Sequence, residues 1–383
     1  MKFKNISRQV LILGMISFFT DFASEMLYPV APIFLTGALG ASMAVVGIIE
    51  GFAEVIAGLL KGYFGFLSDK IGKRSIFVML GYGLSSIIKP LPGFLPNVIT
   101  VALSRGLDRV GKGIRTSPRD ALLAANSNGN SGAVFGFHRS MDTFGAVAGP
   151  LAALVILYFV PGEYAIVYLA AVIPSIFAVY FTFLVKDPRN ITPVSKKKHY
   201  KEFWKEAPKQ YKYILVIITI FSFVNSSDVF LILKSRDISQ SDSTAILGYV
   251  FYNFIYAFGS YPAGMLSDKF GKKNIFTIGL IVFSLVYFGF AVSENMMLIW
   301  LLFAFYGIYS AATEGITKAW VADLIPDHFR GTGIGMLNMF TSFAVMFGSI
   351  FTGILWDQFG SQVPFILSAV VSLIIAVILL LKK

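Results

Sequence analysis

The chain contains no cysteine and only three histidines among its 383 residues. Without thiols there is no disulfide framework, no CxxC redox pair and no thiolate metal site. His138 falls inside an apolar run, whereas His199 and His328 fall in polar connections. No nucleophile–base pair or metal-ligand cluster can be assembled from them, which disfavours a membrane enzyme. A GxxxxGK[ST] loop is also absent, so the sequence offers no ATP-hydrolysing module. Charge is scarce as well: Asp, Glu, Lys and Arg make up 14% of the residues against 56% hydrophobic, with a mean hydropathy of +0.72. So few polar groups cannot cover a soluble surface, and lipid is the expected solvent.

What is abundant is long apolar runs. A bilayer core of about 30 Å needs ~20 helical residues per crossing. Twelve runs meet that need, near Val10–Leu35, Val45–Leu67, Ser75–Pro92, Val98–Ala121, Ala133–Phe159, Tyr164–Leu184, Tyr213–Leu233, Thr244–Leu266, Ile275–Val292, Met296–Leu324, Gly331–Trp356 and Pro364–Leu381. The run after Arg8 is too long for a signal-peptide core and reads as the first membrane helix. Residues 186–212 form the one long polar connection and carry Lys196, Lys197 and Lys198. The expected organisation is a six-helix bundle over 1–185, a linker over 186–212 with a short amphipathic stretch near Phe203 and Trp204, and a second six-helix bundle over 213–383.

Basic residues set the sidedness. Lys2, Lys4 and Arg8, then Lys70, Lys73 and Arg74, the linker, Lys269, Lys272 and Lys273, and finally Lys382 and Lys383 all fall on one side of a twelve-span topology. That side is expected to be cytoplasmic, with Lys234 and Arg236 as exceptions on the other. The net charge of +11 then reflects topology and attraction to anionic lipid. Scattered over separate loops, it implies no nucleic-acid partner.

One ten-residue phrase is written twice, as GFLSDKIGKR from Gly65 and as GMLSDKFGKK from Gly264, once after span two and once after span eight. Gly72 and Gly271 permit a tight turn, and Asp69 and Asp268 sit at cytoplasmic helix ends where they can meet arginines or a positive helix N-terminus. The repeated phrase resembles the loop signature of the major facilitator superfamily. Arg105–Gly113 is similar to that family's fourth-span motif through Arg105, Gly111 and Gly113, with Asp108 and Arg109 departing from it. Gly145, Gly149 and Pro150 match only a fragment of the exporter-associated span-five motif. LDRVGKGIRTSPRDAL from Leu107 and TEGITKAWVADLIPDHFRG from Thr313 resemble a subgroup of prokaryotic permeases.

The resemblance implies an all-α membrane protein with twelve helices in two pseudo-symmetric six-helix bundles, working as a secondary transporter by alternating access. It also implies a conformational latch. Asp69, with Arg74 beside it, would hold the start of span eleven near Gly331 in the outward-open state; Asp268, with Lys273 beside it, would hold the start of span five near Gly132. The alternative is a pair of plain polar turns. Sugar-porter and peptide-porter signatures are absent.

Ionisable residues inside the spans carry the remaining information, because each is costly in lipid and needs a cavity or partner. Asp21, Glu25 and Tyr28 share one face of span one, and Glu50, Glu54 and Lys61 lie on span two. Span four bears Arg105, Asp108, Arg109 and Lys112, continuing to Arg115 and Arg119, which approach the cytoplasm and are expected to meet water or headgroups. On span five, His138 and Arg139 can each reach Asp142 across one turn. In the second half Asn225 and Asp228 echo Asp21 and Glu25, Glu314 and Lys318 form an i, i+4 pair, and Tyr249, Tyr252, Asn253 and Tyr256 share a face.

With no ATPase module and no cofactor motif, the expected energy source is a proton gradient. The candidate proton couplers are Asp21, Glu25, Glu50, Glu54, Asp142 and His138. Arg105 and Arg109 either form salt bridges within the bundle or hold a small organic anion, since guanidinium forks suit carboxylates. Tyr28, Tyr249, Tyr252, Asn253, Tyr256 and Glu314 complete the candidate binding set. A carboxylate or a carboxylate-type metal chelate fits equally. A multidrug exporter and a transport-inactive sensor are the rival readings. Expected partners are the solute, protons and lipid of a prokaryotic inner membrane, with no obligate protein partner.

Overall fold

A computed structural model describes residues 6–41, 43–188, 200–240 and 242–381. Lys2, Lys4, Lys196–Lys198, His199, Lys382 and Lys383 lie outside the described residues. Among the described residues every regular element is helical. Helices occupy all the expected spans: Arg8–Leu27, Met43–Ile71, Ser75–Ile88 with Leu91–Phe94, Val98–Ala125, Ser131–Phe159, Tyr164–Ala170 with Val172–Thr182, Lys209–Val224 with Val229–Ser239, Asp242–Phe270, Lys272–Val292, Met296–Leu324, Arg330–Phe359 and Gln362–Leu381. Eight of these are long and apolar enough to cross a membrane by length and composition. Span four misses that standard because of the charges it carries. Ile87, Tyr158 and Met297 are 78, 81 and 84% exposed, a surface that only lipid solvates cheaply.

Two spans differ from their expected form. Span one stops at Leu27, before Pro29, and continues as a short helix Val30–Ile33 and a π-helical turn Phe34–Ala38, because proline offers no N–H to an α-helical ladder. Span seven, expected unbroken, is interrupted at residues 225–228. There Asn, Ser, Ser and Asp stand in succession, side chains that compete with helical backbone bonding, and the Ser227 N–H goes to Ser349 Oγ at 3.0 Å. The linker stretch near Phe203 is a helix, Tyr200–Glu206, with Phe203 buried against Phe329 at 5.5 Å between ring centroids.

The chain divides into two compact units. The first takes the residues up to Asn128, Met141–Glu206 and Ile325–Met339; the second takes Gly129–Ser140, Ala207–Leu324 and Phe340 onward. In the first unit, spans three and four touch backbone to backbone: a Cβ on Gly81 would stand 2.6 Å from the Gly111 carbonyl oxygen. In the second, the core is aromatic, with Phe283 stacked on Tyr287 at 3.9 Å and Tyr306 packed on Tyr252 at 5.1 Å.

Candidate functional site

Each copy of the repeated phrase ends its helix at a glycine with positive φ, Gly72 at 71° and Gly271 at 90°, and in each the aspartate caps another helix. In the first unit Asp69 accepts hydrogen bonds from Gly331 N at 3.1 Å, Thr332 N at 2.6 Å and Thr332 Oγ1 at 2.9 Å, the first turn of span eleven. Arg74 pairs with the same carboxylate at 2.9 Å, and both side chains are fully buried. Arg74 also donates to the Asp327 carbonyl at 3.0 Å. In the second unit Asp268 accepts from Gly132 N at 2.8 Å and Ala133 N at 2.7 Å, the first turn of span five. A helix N-terminus presents orphan N–H groups and the positive end of the dipole, so a carboxylate satisfies both at once. Alignment of the two phrases points to Lys273 as the counterpart of Arg74. Lys272, one helical turn on from Asp268, pairs with it at 3.0 Å and also reaches Asp323 at 2.8 Å.

Span four starts at a capping box of Asn97 and Thr100 and presents its charges on two adjoining faces. Asp108, Arg115 and Arg119 fall within about 40° of one another around the helix axis and are buried. Arg105, Arg109 and Lys112 lie further round and are half-buried. The expectation that Arg115 and Arg119 meet water or headgroups is corrected here. Arg115 donates to Ser85 Oγ at 2.7 Å and lies 4.3 Å over the Tyr82 ring. Arg119 donates to Asp120 at 2.8 and 3.0 Å and to Tyr82 Oη at 3.2 Å. Both face the close approach of span three rather than the cytoplasm.

Lys89, on span three, forms an ion pair with Asp108 at 3.4 Å. Together with Arg105, Ser24 and Ser104 they line a cavity of about 30 Å³, room for a few waters. Arg105 also stands 5.2 Å from the centroid of Tyr28. On span five Asp142 accepts the Ser17 hydroxyl and makes hydrogen-bond contact with Asp21. Glu25 lies in the field of Lys112, Arg109 and Arg105.

In the second unit Asp228 accepts the hydroxyls of Tyr252 and Tyr306, each at 2.6 Å. Arg139, expected to reach Asp142, is paired with Glu314 at 2.5 Å and donates to Tyr256 Oη. Glu314 thus has a salt bridge to a different helix. Asn253 turns back on its own helix, donating to the Tyr249 carbonyl at 3.0 Å. His138 is buried on span five. The side chains of Glu50 and Glu54 lie outside the described ones.

A family model for the Major Facilitator Superfamily matches residues 13–235 and 214–383. The chain belongs to the major facilitator superfamily. It is an integral membrane transporter of that fold. An uncharacterized MFS-type transporter of Methanocaldococcus jannaschii is 35% identical over 98% of this chain and 95% of its own length. A probable galactarate/D-glucarate transporter of Bacillus subtilis is 26% identical over half of this chain and 43% of its own. The crystal structure of the human organic anion transporter MFSD10 superposes with a TM-score of 0.82 at 14% identity, over 97% of this chain and 99% of that one. At that identity the likeness speaks for the MFS fold alone.

Two groups escaped the sequence reading of this MFS chain. Lys89 is a lone lysine in an otherwise apolar span, which is itself the signal for a buried partner. Tyr306 and Tyr309, three residues apart on span ten, show the same aromatic spacing as the span-eight tyrosines and complete the cage around Asp228.

Proposed function

We propose that this MFS protein is a proton-coupled carrier of a small organic anion across a prokaryotic cytoplasmic membrane, with both termini and the linker on the cytoplasmic side. The observation that carries the anion is the cavity beside span four, where two cations, Lys89 and Arg105, stand against one carboxylate, Asp108. Its lining thus keeps one positive charge in excess, and Arg105 brings a planar fork suited to a carboxylate. The similarity to a probable galactarate/D-glucarate transporter of Bacillus subtilis supports the same chemical class. Carboxylate-type chelates belong to that class too. Arg109, on the adjoining face, is assigned to the solute rather than to the buried network.

Proton coupling is supported by the contact between Asp21 and Asp142. Two carboxyl groups within hydrogen-bond reach share a proton, since like charges so close cannot both stay ionised. Arg119 reaches Ser17, the residue that donates to Asp142, at 3.5 Å. A shift of that arginine between Ser17 and its Asp120 partner would change how strongly the pair holds its proton. Asp69 and Asp268 act as latches that fasten the cytoplasmic ends of spans eleven and five in one state of an alternating-access cycle.

The test is the thermal stability of the detergent-purified protein against a panel of mono- and dicarboxylates, phosphate esters, ferric chelates and lipophilic cations, with Arg105→Ala alongside. The reading expects a carboxylate that stabilises the wild type and loses its effect in the variant. Stabilisation by lipophilic cations alone, equal in the two proteins, overturns it in favour of a drug exporter.

A further inference from the structure

The break in span seven gathers several buried side-chain oxygens of the second unit. Ser226 is 4% exposed and Tyr287 1%; their hydroxyls lie within hydrogen-bond reach of each other and of Tyr306, and among the described residues neither has a partner outside that group. The carboxamide oxygen of Asn225 is buried without a partner among the described residues. These groups gather around Asp228: Ser226 is two residues away along the interruption, and Tyr287 lies against Ser226 and Tyr306, the second of which donates to Asp228. Buried polar atoms in folded proteins are nearly always satisfied, so an unmet carboxamide oxygen beside two hydroxyls that find only each other and Tyr306 calls for something that binds there.

The charge balance points the same way. Among the described residues Asp228 receives two tyrosine hydroxyls but no cation in its hydrogen-bond shell. The arginine that acts on it, Arg139, is paired with Glu314, an acid that also acts on it. Arg139 and Glu314 cancel, and the negative charge of Asp228 is left uncompensated inside a membrane span. The interruption adds to this negative character, because the helix Lys209–Val224 ends here and directs its last carbonyls toward residues 225–228.

We infer that the break in span seven is a sodium site, formed by the Asp228 carboxylate, the Ser226 and Tyr287 hydroxyls and the Asn225 carboxamide oxygen. A broken membrane helix with freed carbonyls and neutral oxygens around one acid is the kind of structure that replaces the water shell of a small monovalent ion. One carboxylate matches one positive charge. Among the described residues no group of three or more His, Cys, Asp or Glu gathers to suit a divalent metal. A proton on Asp228 would neutralise the acid but leave the other oxygens unmet; an ion that takes several oxygen ligands answers both needs. This site stands apart from the carboxyl pair of Asp21 and Asp142, which belongs to the first unit.

The experiment is thermal unfolding of the full chain, purified in detergent, in NaCl against choline chloride at constant ionic strength and pH, with no transported solute present. Binding to the folded state raises the midpoint saturably with sodium. Asp228→Asn should abolish the sodium-dependent rise. Tyr287→Phe and Ser226→Ala, which keep the carboxylate, should each shift the sodium concentration for half the effect upward by on the order of tenfold, as loss of one ligand worth ~1.4 kcal/mol does. If Asp228→Asn does not fold, those two variants decide the matter. Equal midpoints in sodium and choline overturn the inference, and so does a sodium effect of unchanged half-point in Tyr287→Phe and Ser226→Ala. A midpoint that responds to pH and not to sodium identifies Asp228 as a proton site and also overturns it. None of these outcomes depends on whether the solute is an anion.

Discussion

Replacing Asp69 with asparagine keeps the shape of the side chain and removes its charge. The carboxylate serves four donors: Arg74 at 2.9 Å, Gly331 N at 3.1 Å, and Thr332 N and Oγ1 at 2.6 and 2.9 Å. An amide has one oxygen and must turn its NH2 toward one pair of those donors. Arg74, 1% exposed, loses its carboxylate partner and is left with neutral acceptors, the Ala121 and Asp327 carbonyls and at most the amide oxygen. Removing one member of a buried ion pair costs ~3–5 kcal/mol. At Asp268 the same substitution is milder, because Lys272 remains within 2.8 Å of Asp323 and is partly exposed. The loss is then confined to weakened charge-assisted bonds to Gly132 and Ala133, ~1.5–3 kcal/mol. The two variants should differ by about 2 kcal/mol, or ~4–8 °C in unfolding midpoint for a cooperative unit of 150–250 residues. Tryptophan fluorescence of the detergent-purified proteins reads this. An Asp268→Asn variant that loses as much as Asp69→Asn, or more, refutes the reasoning that burial of Arg74 sets the difference.

Lys89→Met removes the ion-pair partner of a buried Asp108 on which Arg115, Arg109 and Arg105 still act, so the stability loss should stay below the ~3–5 kcal/mol of a fully unpaired buried charge, as measured by the unfolding midpoint. Gly81→Ala should cost ~1–3 kcal/mol because its Cβ meets the Gly111 carbonyl. Gly83→Ala, two residues on with nothing within 4 Å, should be neutral or up to ~1 kcal/mol stabilising on the same measurement. Arg119→Lys replaces a fork that meets Asp120 and Tyr82 together with a single ammonium, and a midpoint loss equivalent to ~1–3 kcal/mol is expected; an unchanged midpoint would show that the fork geometry is dispensable.

Features written contiguously were legible before any coordinates. The run of spans predicts a twelve-helix membrane protein, the repeated phrase marks Asp69 and Asp268, and the targets near Gly331 and Gly132 that its resemblance to the superfamily signature implies are the helix ends that the aspartates cap. Features that depend on which face meets which neighbour were not. Arg115 and Arg119 lie near the cytoplasmic end of span four, and counting along the helix suggested water. Their burial comes from the close contact of Gly81 with Gly111, which hides that face against span three. Arg139 and Asp142 are one turn apart, yet Arg139 finds Glu314 on span ten, a pairing that no local spacing encodes. The interruption of span seven was foreshadowed by its Asn-Ser-Ser-Asp run, but the tyrosines that enclose it come from spans eight, nine and ten.

The most direct test of the proposed function is uptake of labelled mono- and dicarboxylates into proteoliposomes under an imposed pH gradient, acid outside. A proton-coupled organic-anion carrier accumulates at least one of them, loses the accumulation when a protonophore collapses the gradient, and fails to accumulate it in Arg105→Ala. If no carboxylate accumulates in the wild type, or if accumulation is the same with and without the gradient and in Arg105→Ala, the account is contradicted.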